Sequence, residues 1–99
     1  MEAVMTFDDF KSSLSESTPP AGLSLVLQAL WHEARGNWEL AHRVVQDESS
    51  NDASWVHAYL HRKEGDLSNA GYWYSRAGKP RATVPPAEEW EQIARSLIG

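Results

Sequence analysis

Apolar residues recur at helical spacing along most of the chain, in segments separated by glycine, proline or clusters of polar residues. Residues three, four and seven positions apart lie on one face of an α-helix, so this pattern predicts amphipathic helices. No segment shows the sustained two-residue alternation that is typical of a half-buried strand. The pattern therefore predicts an all-α fold with five or six helices.

The ends of the predicted helices are marked by residues that start or stop a helix. Thr6 can cap the first helix, and Asp9 three residues later completes a capping box. Ser24 can cap the second helix. Gly36 and Gly65 can end helices, because glycine accepts the left-handed conformation of a C-cap. The predicted helices after the first begin near Ser24, Trp38, Ala53, Leu67 and Pro86.

A short stretch of the chain is echoed 29 residues further on, where residues 58–70 correspond to residues 29–41. The identical positions are Ala29 and Ala58, His32 and His61, Gly36 and Gly65, and Ala41 and Ala70. Such a period is typical of stacked helical units that cannot bury their apolar faces alone. We therefore predict one domain over residues 1–99, made of an N-terminal helix and linker (1–22), two helical hairpins (23–80), and a linker with a C-terminal capping helix (81–99).

The turns of the two hairpins resemble those of the tetratricopeptide repeat. They are GNWELA at residues 36–41 and GDLSNA at residues 65–70. In that family a glycine ends the first helix, and an alanine five residues later lets the second helix approach it. Ala70, Tyr74 and Ala77 also match the spacing of the family's second helix. The resemblance covers residues 23–80 and implies a fold that serves protein interaction.

The repeat also departs from that family. Its period of 29 residues is shorter than the usual value of about 34, and His32 and His61 stand where an aromatic residue is expected. The chain further resembles a group of small uncharacterised proteins that share Trp-His-Glu-Ala-Arg-Gly and His-Ala-Tyr-Leu-His-Arg segments, here at 31–36 and 57–62. That second resemblance implies no particular activity.

Composition and charge exclude several classes of function. The net charge of −5 argues against a nucleic-acid partner, since phosphate binding needs a basic surface. The chain has no cysteine, so it forms neither disulfides nor thiolate sites. Its first residues lack the pattern of a signal peptide, and no stretch approaches the roughly 18 apolar residues of a membrane span. A cytoplasmic protein with no membrane partner is predicted.

No catalytic motif is recognisable in the chain. It contains neither a nucleophile elbow nor a glycine-rich phosphate loop, and its acidic pairs occupy positions typical of helix caps or solvated faces. We therefore predict a non-catalytic module without a cofactor, which binds a protein or peptide segment.

The tetratricopeptide resemblance implies that the first helix of each hairpin lines a concave binding surface. By position, that surface holds Leu30 and Glu33 from the first unit and Trp55, Tyr59 and Arg62 from the second. Aromatic residues and arginine are typical of binding hot spots, and Arg62 would recognise an acidic group. The alternative is that Trp55 and Tyr59 pack beneath the capping helices while Glu33 and Arg62 form a structural pair.

The histidines suggest an alternative function, a small-molecule or metal site around His32, His57 and His61. His57 and His61 are four residues apart and lie on one helix face, a spacing that can hold a metal ion. Stacking of the two units in register would bring His32 near His61, and His42 or Glu33 would add a further ligand. The opposing interpretation is that His32 and His61 are interface residues that take the place of the family's aromatic residue.

A third possibility is self-association into a homodimer. Tyr72, Trp73 and Tyr74 are consecutive, so one helix cannot bury all three on the same face. The repeat pattern assigns Tyr74 to the core. Tyr72, Trp73 and the last helix are therefore the predicted self-association surface.

Overall fold

Six α-helices and one short 3₁₀ helix make up the regular structure of residues 5–98, the part of the chain that the computed structural model describes. The elements are α1 (Phe7–Ser12), the 3₁₀ helix (Ser13–Ser15), α2 (Leu25–Ala34), α3 (Trp38–Gln46), α4 (Asn51–Glu64), α5 (Leu67–Ala77) and α6 (Pro86–Ile98). No strand occurs in residues 5–98, which confirms the all-α class. Residues 1–4 and 99, which the predicted domain bounds include, lie outside this range.

The caps predicted for the first two helices, α1 and α2, are present. The Thr6 hydroxyl accepts a hydrogen bond from the Asp9 amide at 3.1 Å, and the Asp9 carboxylate accepts one from the Thr6 amide at 3.1 Å. The Ser24 hydroxyl accepts a hydrogen bond from the Leu27 amide at 3.2 Å. These bonds satisfy amides of the first turn that have no partner within the helix, so each helix begins where its cap places it.

Glycines end the first helix of each pair, as predicted. Gly36 follows α2 with φ 88°, and Gly65 closes α4 with φ 93°, both in the left-handed region where a side chain would be strained. The start of α4 differs from the prediction by two residues. Helix α4 begins at Asn51 because the Ser50 hydroxyl accepts a hydrogen bond from the Ala53 amide at 3.1 Å.

Helices that follow one another in the chain pack side by side, and the last helix returns to the beginning. Helix α2 packs on α3, α3 on α4, and α4 on α5, while α6 contacts α1, α2 and α4. The main core therefore lies between α1, α2, α4 and α6. Its largest fully buried side chains include Phe10, Leu30, Tyr59, Leu60 and Ile93.

Trp90 joins α6 to the N-terminal helices. Its indole N–H donates a hydrogen bond to the Leu30 carbonyl at 3.0 Å. Its ring stacks on Phe10 with centroids 5.7 Å apart and meets Phe7 edge to face at 6.1 Å. An indole placed in this way buries a large apolar area and keeps its polar atom satisfied. Trp90 is consequently the main anchor that places α6 across α2.

Candidate functional site

Three of the five residues predicted to bind a partner are buried. Leu30 is fully buried, and Tyr59 and Glu33 are only 1% and 5% exposed. They are covered because α6 packs across α2 and α4, the helices predicted to line a concave surface. In this structure these three residues do not form an open groove, since α6 of the same chain covers them.

Arg62, the fourth predicted residue, is held inside a network on the buried carboxylate of Glu89. Its guanidinium donates to Glu89 Oε1 at 2.8 Å and also to the Val84 carbonyl. The Tyr74 hydroxyl donates to Glu89 Oε2 at 2.5 Å. Arg62 therefore connects α4 with α6 and the linker that precedes it, and its guanidinium is already paired with an acid of its own chain.

Glu33 is held by a second network of the same design. Its Oε1 accepts a hydrogen bond from the Tyr59 hydroxyl at 2.8 Å, and its Oε2 accepts one from the Lys63 ammonium at 2.6 Å. The alternative pairing of Glu33 with Arg62 was wrong. Arg62 and Lys63 are adjacent, so their side chains leave α4 about 100° apart, one towards α6 and the other towards α2.

The two tyrosines of these networks are hydrogen-bond donors and not bases. Burial is the main cause that raises the pKa of Tyr59 and of Tyr74, and the neighbouring Glu33 and Glu89 carboxylates raise each further. Both phenols consequently stay protonated and donate to the carboxylates at neutral pH. Each buried carboxylate thus has two donors, which is the arrangement expected of a structural network.

A pocket of about 290 Å³ lies between α1, α2, α4 and α6. The buried rings of Phe7, Tyr59 and Trp90 line it, and the exposed side chains of Lys11 and Lys63 lie at its edge. We call it the apolar pocket. The other lining residues are Leu14, Glu33, Ala34, Ala87 and Glu91. Its volume is close to the lower limit for ligand pockets, which suits one inserted side chain.

Trp55, the fifth predicted residue, lies at a different place. It is half-buried, and the Lys79 ammonium lies 4.3 Å from the centre of its ring. Trp55 lines a separate cavity of about 250 Å³ beside the linker before α6. The structure therefore brings Glu33 and Tyr59 to one pocket and Trp55 to another.

Three histidines from two helices meet on the other side of α4. His42 of α3 and His57 and His61 of α4 each place one ring nitrogen within 4.8 Å of those of the other two. The Nε2 atoms of His42 and His57 are 3.0 Å apart. We call this group the histidine cluster. His32 lies outside it, with its ring 5.2 Å from that of Trp31.

Aromatic rings and one carboxylate surround the histidine cluster. Trp38 stacks on His42 with centroids 4.9 Å apart and planes at 7°, and Trp73 stacks on His57 at 3.9 Å and 14°. Glu64 Oε1 lies 2.7 Å from His61 Nδ1. Each imidazole thus has a neighbour that restricts its orientation.

His57 is the buried member of the cluster whose polar atoms are not all satisfied. It is 4% exposed, and its Nδ1 has no hydrogen-bond partner within residues 5–98. Burial, followed by the neighbouring His42 and His61, lowers the pKa of His57 to about 4. Burial and His61 also lower the pKa of His42, while Glu64 opposes that shift. At neutral pH His57 is consequently a neutral imidazole, with a proton on one ring nitrogen and a lone pair on the other.

The residues predicted for self-association are divided between the surface and the core. Tyr72 is 54% exposed, Trp73 is half-buried, and Tyr74 is buried as expected. The guanidinium of Arg76 donates to the Tyr72 hydroxyl at 3.2 Å and lies 5.4 Å from the centre of the Trp73 ring. The homodimer stays a prediction, with Tyr72 as its most accessible residue.

Comparison with known proteins supplies no relative from which a function can be transferred. A scan against family models, a search of curated proteins and a search of solved structures gave no match. Within residues 5–98, every helix is too short or too polar to cross a membrane. The function is therefore argued from the chain's own geometry.

Two residues that organise the apolar side of the molecule were not predicted from the sequence. Glu89 lies in the first turn of α6 and Lys63 in the last turn of α4, where charged residues are typical of helix ends and solvated faces. Glu89 lies four residues before Ile93, on the same face of the helix. This spacing is the signal that could have assigned Glu89 to the buried side of α6.

Proposed function

We propose that the protein is a non-catalytic interaction module, and that its apolar pocket accepts one side chain of a protein or peptide segment. The composition of this pocket is the observation that supports the proposal, because it combines three aromatic rings inside with two lysines at the edge. Aromatic contact area next to charged groups is typical of sites that anchor a partner side chain. The pocket also retains Glu33 and Tyr59, two of the residues that the sequence assigns to partner binding.

The proposed segment carries an apolar or aromatic side chain next to a carboxylate. Lys11 forms no ion pair within residues 5–98, so its ammonium is available to an acidic group. Lys63 is exposed although its ammonium contacts Glu33. A carboxylate between these two lysines would lie at the entrance of the pocket, while the apolar side chain contacts the rings.

The tetratricopeptide-like arrangement is part of the same proposal. Packing of α2 on α3 and of α4 on α5 supports it, as do the left-handed glycines after α2 and α4. Within this arrangement α6 covers the concave surface of α2 and α4. The apolar pocket is the part of that surface which α6 and α1 leave accessible.

A peptide-display selection on the tag-free protein tests this function. We expect wild type to enrich peptides with an apolar residue beside an acidic one. Ala87 is exposed and lines the pocket, so Ala87→Trp fills the pocket without removing a core atom. Ser96→Trp is the matched control, because Ser96 is exposed on the same helix and does not line the pocket.

The proposal requires that Ala87→Trp abolish the enrichment while Ser96→Trp retains it, with both variants as helical as wild type by circular dichroism. Lys11→Glu should shift the selected peptides away from acidic residues. A wild-type protein that enriches no such peptide, or an enrichment that survives Ala87→Trp, would contradict the proposal.

A further inference from the structure

The histidine cluster contains a buried polar atom that the fold leaves unsatisfied. Within residues 5–98, His57 Nδ1 is the buried side-chain nitrogen or oxygen that lacks a hydrogen-bond partner. The neighbouring Nε2 atoms of His57 and His42 are 3.0 Å apart, and a hydrogen bond between two neutral imidazoles uses the N–H of one ring and the lone pair of the other. Buried polar groups are normally satisfied, so an exception needs an explanation other than folding stability.

The spacing of the ring nitrogens is close to that of a metal site. A tetrahedral zinc ion with Zn–N bonds of about 2.0–2.1 Å separates its ligand nitrogens by about 3.3 Å. The Nε2 atoms of His42 and His57 are 3.0 Å apart, and one ring nitrogen from each of His42, His57 and His61 lies within 4.8 Å of the other two. Small side-chain rotations are therefore enough to bring three nitrogens to one ion.

The hydrogen bonds of His61 leave one of its nitrogens suited to metal binding. The Glu64 carboxylate can only accept, so the proton of neutral His61 lies on Nδ1, 2.7 Å from Glu64 Oε1. In the neutral ring Nε2 then carries a lone pair, which accepts a long hydrogen bond from the Asn69 side-chain amide at 3.4 Å and which a metal ion would take over. A histidine held by a carboxylate on its other nitrogen is a common ligand arrangement, in which the carboxylate orients the ring.

From these observations we propose that His42, His57 and His61 bind one divalent transition-metal ion. Imidazole ligands favour zinc, nickel or copper over magnesium and calcium, which prefer oxygen. His42 is only half-buried, so the ion reaches the site past this residue. Three protein ligands leave a fourth position for water. Glu64 acts as a positioning residue, and the stacked rings of Trp38 and Trp73 hold the imidazoles in place.

Calorimetric titration of the tag-free, chelator-treated protein with zinc chloride tests this site. We expect one zinc ion per chain at neutral pH. His42→Asn removes a half-buried ligand with little change to the core, and we expect it to abolish binding. His32→Asn is the matched control, since His32 is a half-buried histidine outside the cluster, and we expect it to bind zinc like wild type.

Two further measurements separate a ligand role from a structural role. Glu64→Gln should weaken zinc binding by about tenfold, as expected when the carboxylate that orients a ligand is lost. Copper(II) should quench the tryptophan fluorescence of wild type and His32→Asn but not that of His42→Asn. The proposal is overturned if wild type binds no zinc, if His42→Asn binds it as tightly as wild type, or if His32→Asn alone loses it. None of these outcomes depends on peptide binding at the apolar pocket.

Discussion

Helix α4 has two polar faces, and they differ in whether their buried polar atoms all have hydrogen-bond partners. On one face Tyr59 and Lys63 bind the Glu33 carboxylate, and Arg62 binds that of Glu89. Each of these carboxylates has two donors from neighbouring side chains. We call this the carboxylate face. It carries formal charges in the interior, yet its buried side-chain atoms are all paired within the described residues.

The opposite face of α4 carries His57 and His61. These imidazoles meet His42 of α3, and that of His57 stacks against Trp73 of α5. We call this the histidine face. It buries the neutral His57 ring, which costs less to desolvate than a charge, but it leaves His57 Nδ1 without a partner.

This difference suggests different roles for the two faces. The carboxylate face stabilises the fold, whereas the polar atoms of the histidine face are not required for folding. A buried carboxylate without donors is strongly destabilising, so the carboxylate face has to be complete for α6 to pack. We expect an apolar ring to replace the buried His57 imidazole at little cost, because it would remove the unsatisfied Nδ1 atom. We infer that its polar atoms are retained for binding, and the following experiments test this contrast.

The largest effect is expected from Glu89→Ala. This change leaves the Arg62 guanidinium and the Tyr74 hydroxyl without their buried acceptor, which typically costs about 3–5 kcal/mol. Urea unfolding followed by circular dichroism measures the loss. Glu88→Ala is the control, because Glu88 is exposed and its removal should change stability by about 0.5 kcal/mol or less. Equal effects of the two changes would contradict the central role of Glu89.

Lowering the pH should reduce the free energy of unfolding by a somewhat smaller amount, through the protonation of His57 on the histidine face. The pKa of His57 is about 4 in the folded protein and near 6.5 when unfolded, so the unfolded chain takes up its proton first as the pH falls. The contribution of neutral His57 to the free energy of unfolding is fully present above pH 6.5. About 3 kcal/mol of it is lost as the pH falls from 6.5 to 4. His42 and His61 lie against the ring, and burial together with His61 also lowers the pKa of His42, so His42 contributes to the same transition.

Comparison with His57→Phe isolates this contribution. The variant retains every carboxylate, so its stability between pH 6.5 and 4 should fall less than that of wild type in urea unfolding with chelator present. Parallel pH profiles for the two proteins would show that His57 is not the group responsible.

The smallest changes in stability are expected from removing one polar group on each face, and they compare the two faces most directly. Tyr59→Phe removes a donor to the buried Glu33 carboxylate and should cost about 1.5–3 kcal/mol at pH 7. His57→Phe in the metal-free protein should change stability by about 1 kcal/mol or less, because it also removes the unsatisfied Nδ1. A loss for His57→Phe as large as that for Tyr59→Phe would mean that the histidine face is as structural as the carboxylate face.

Sequence reasoning was most successful where the deciding contacts are local. The capping box at Thr6 and the left-handed glycines at 36 and 65 depend on atoms within about four residues, so their pattern is readable in the chain. It was less successful for the histidines. The repeat relates His32 to His61, but the His32 ring lies against Trp31 and outside the histidine cluster. His42 instead lies on the helix beside α4 and points towards it.

The sequence by itself determined the helical class of this protein and, to within two residues, where its helices begin. Helix propensity and capping are short-range effects, and the spacing of apolar residues selects the buried face of each helix. Only the tertiary structure decided that α6 covers α2 and α4, that Arg62 binds Glu89, and that His42 joins His57 and His61. These contacts connect residues up to 60 positions apart, as between Trp90 and Leu30, and depend on how whole helices pack.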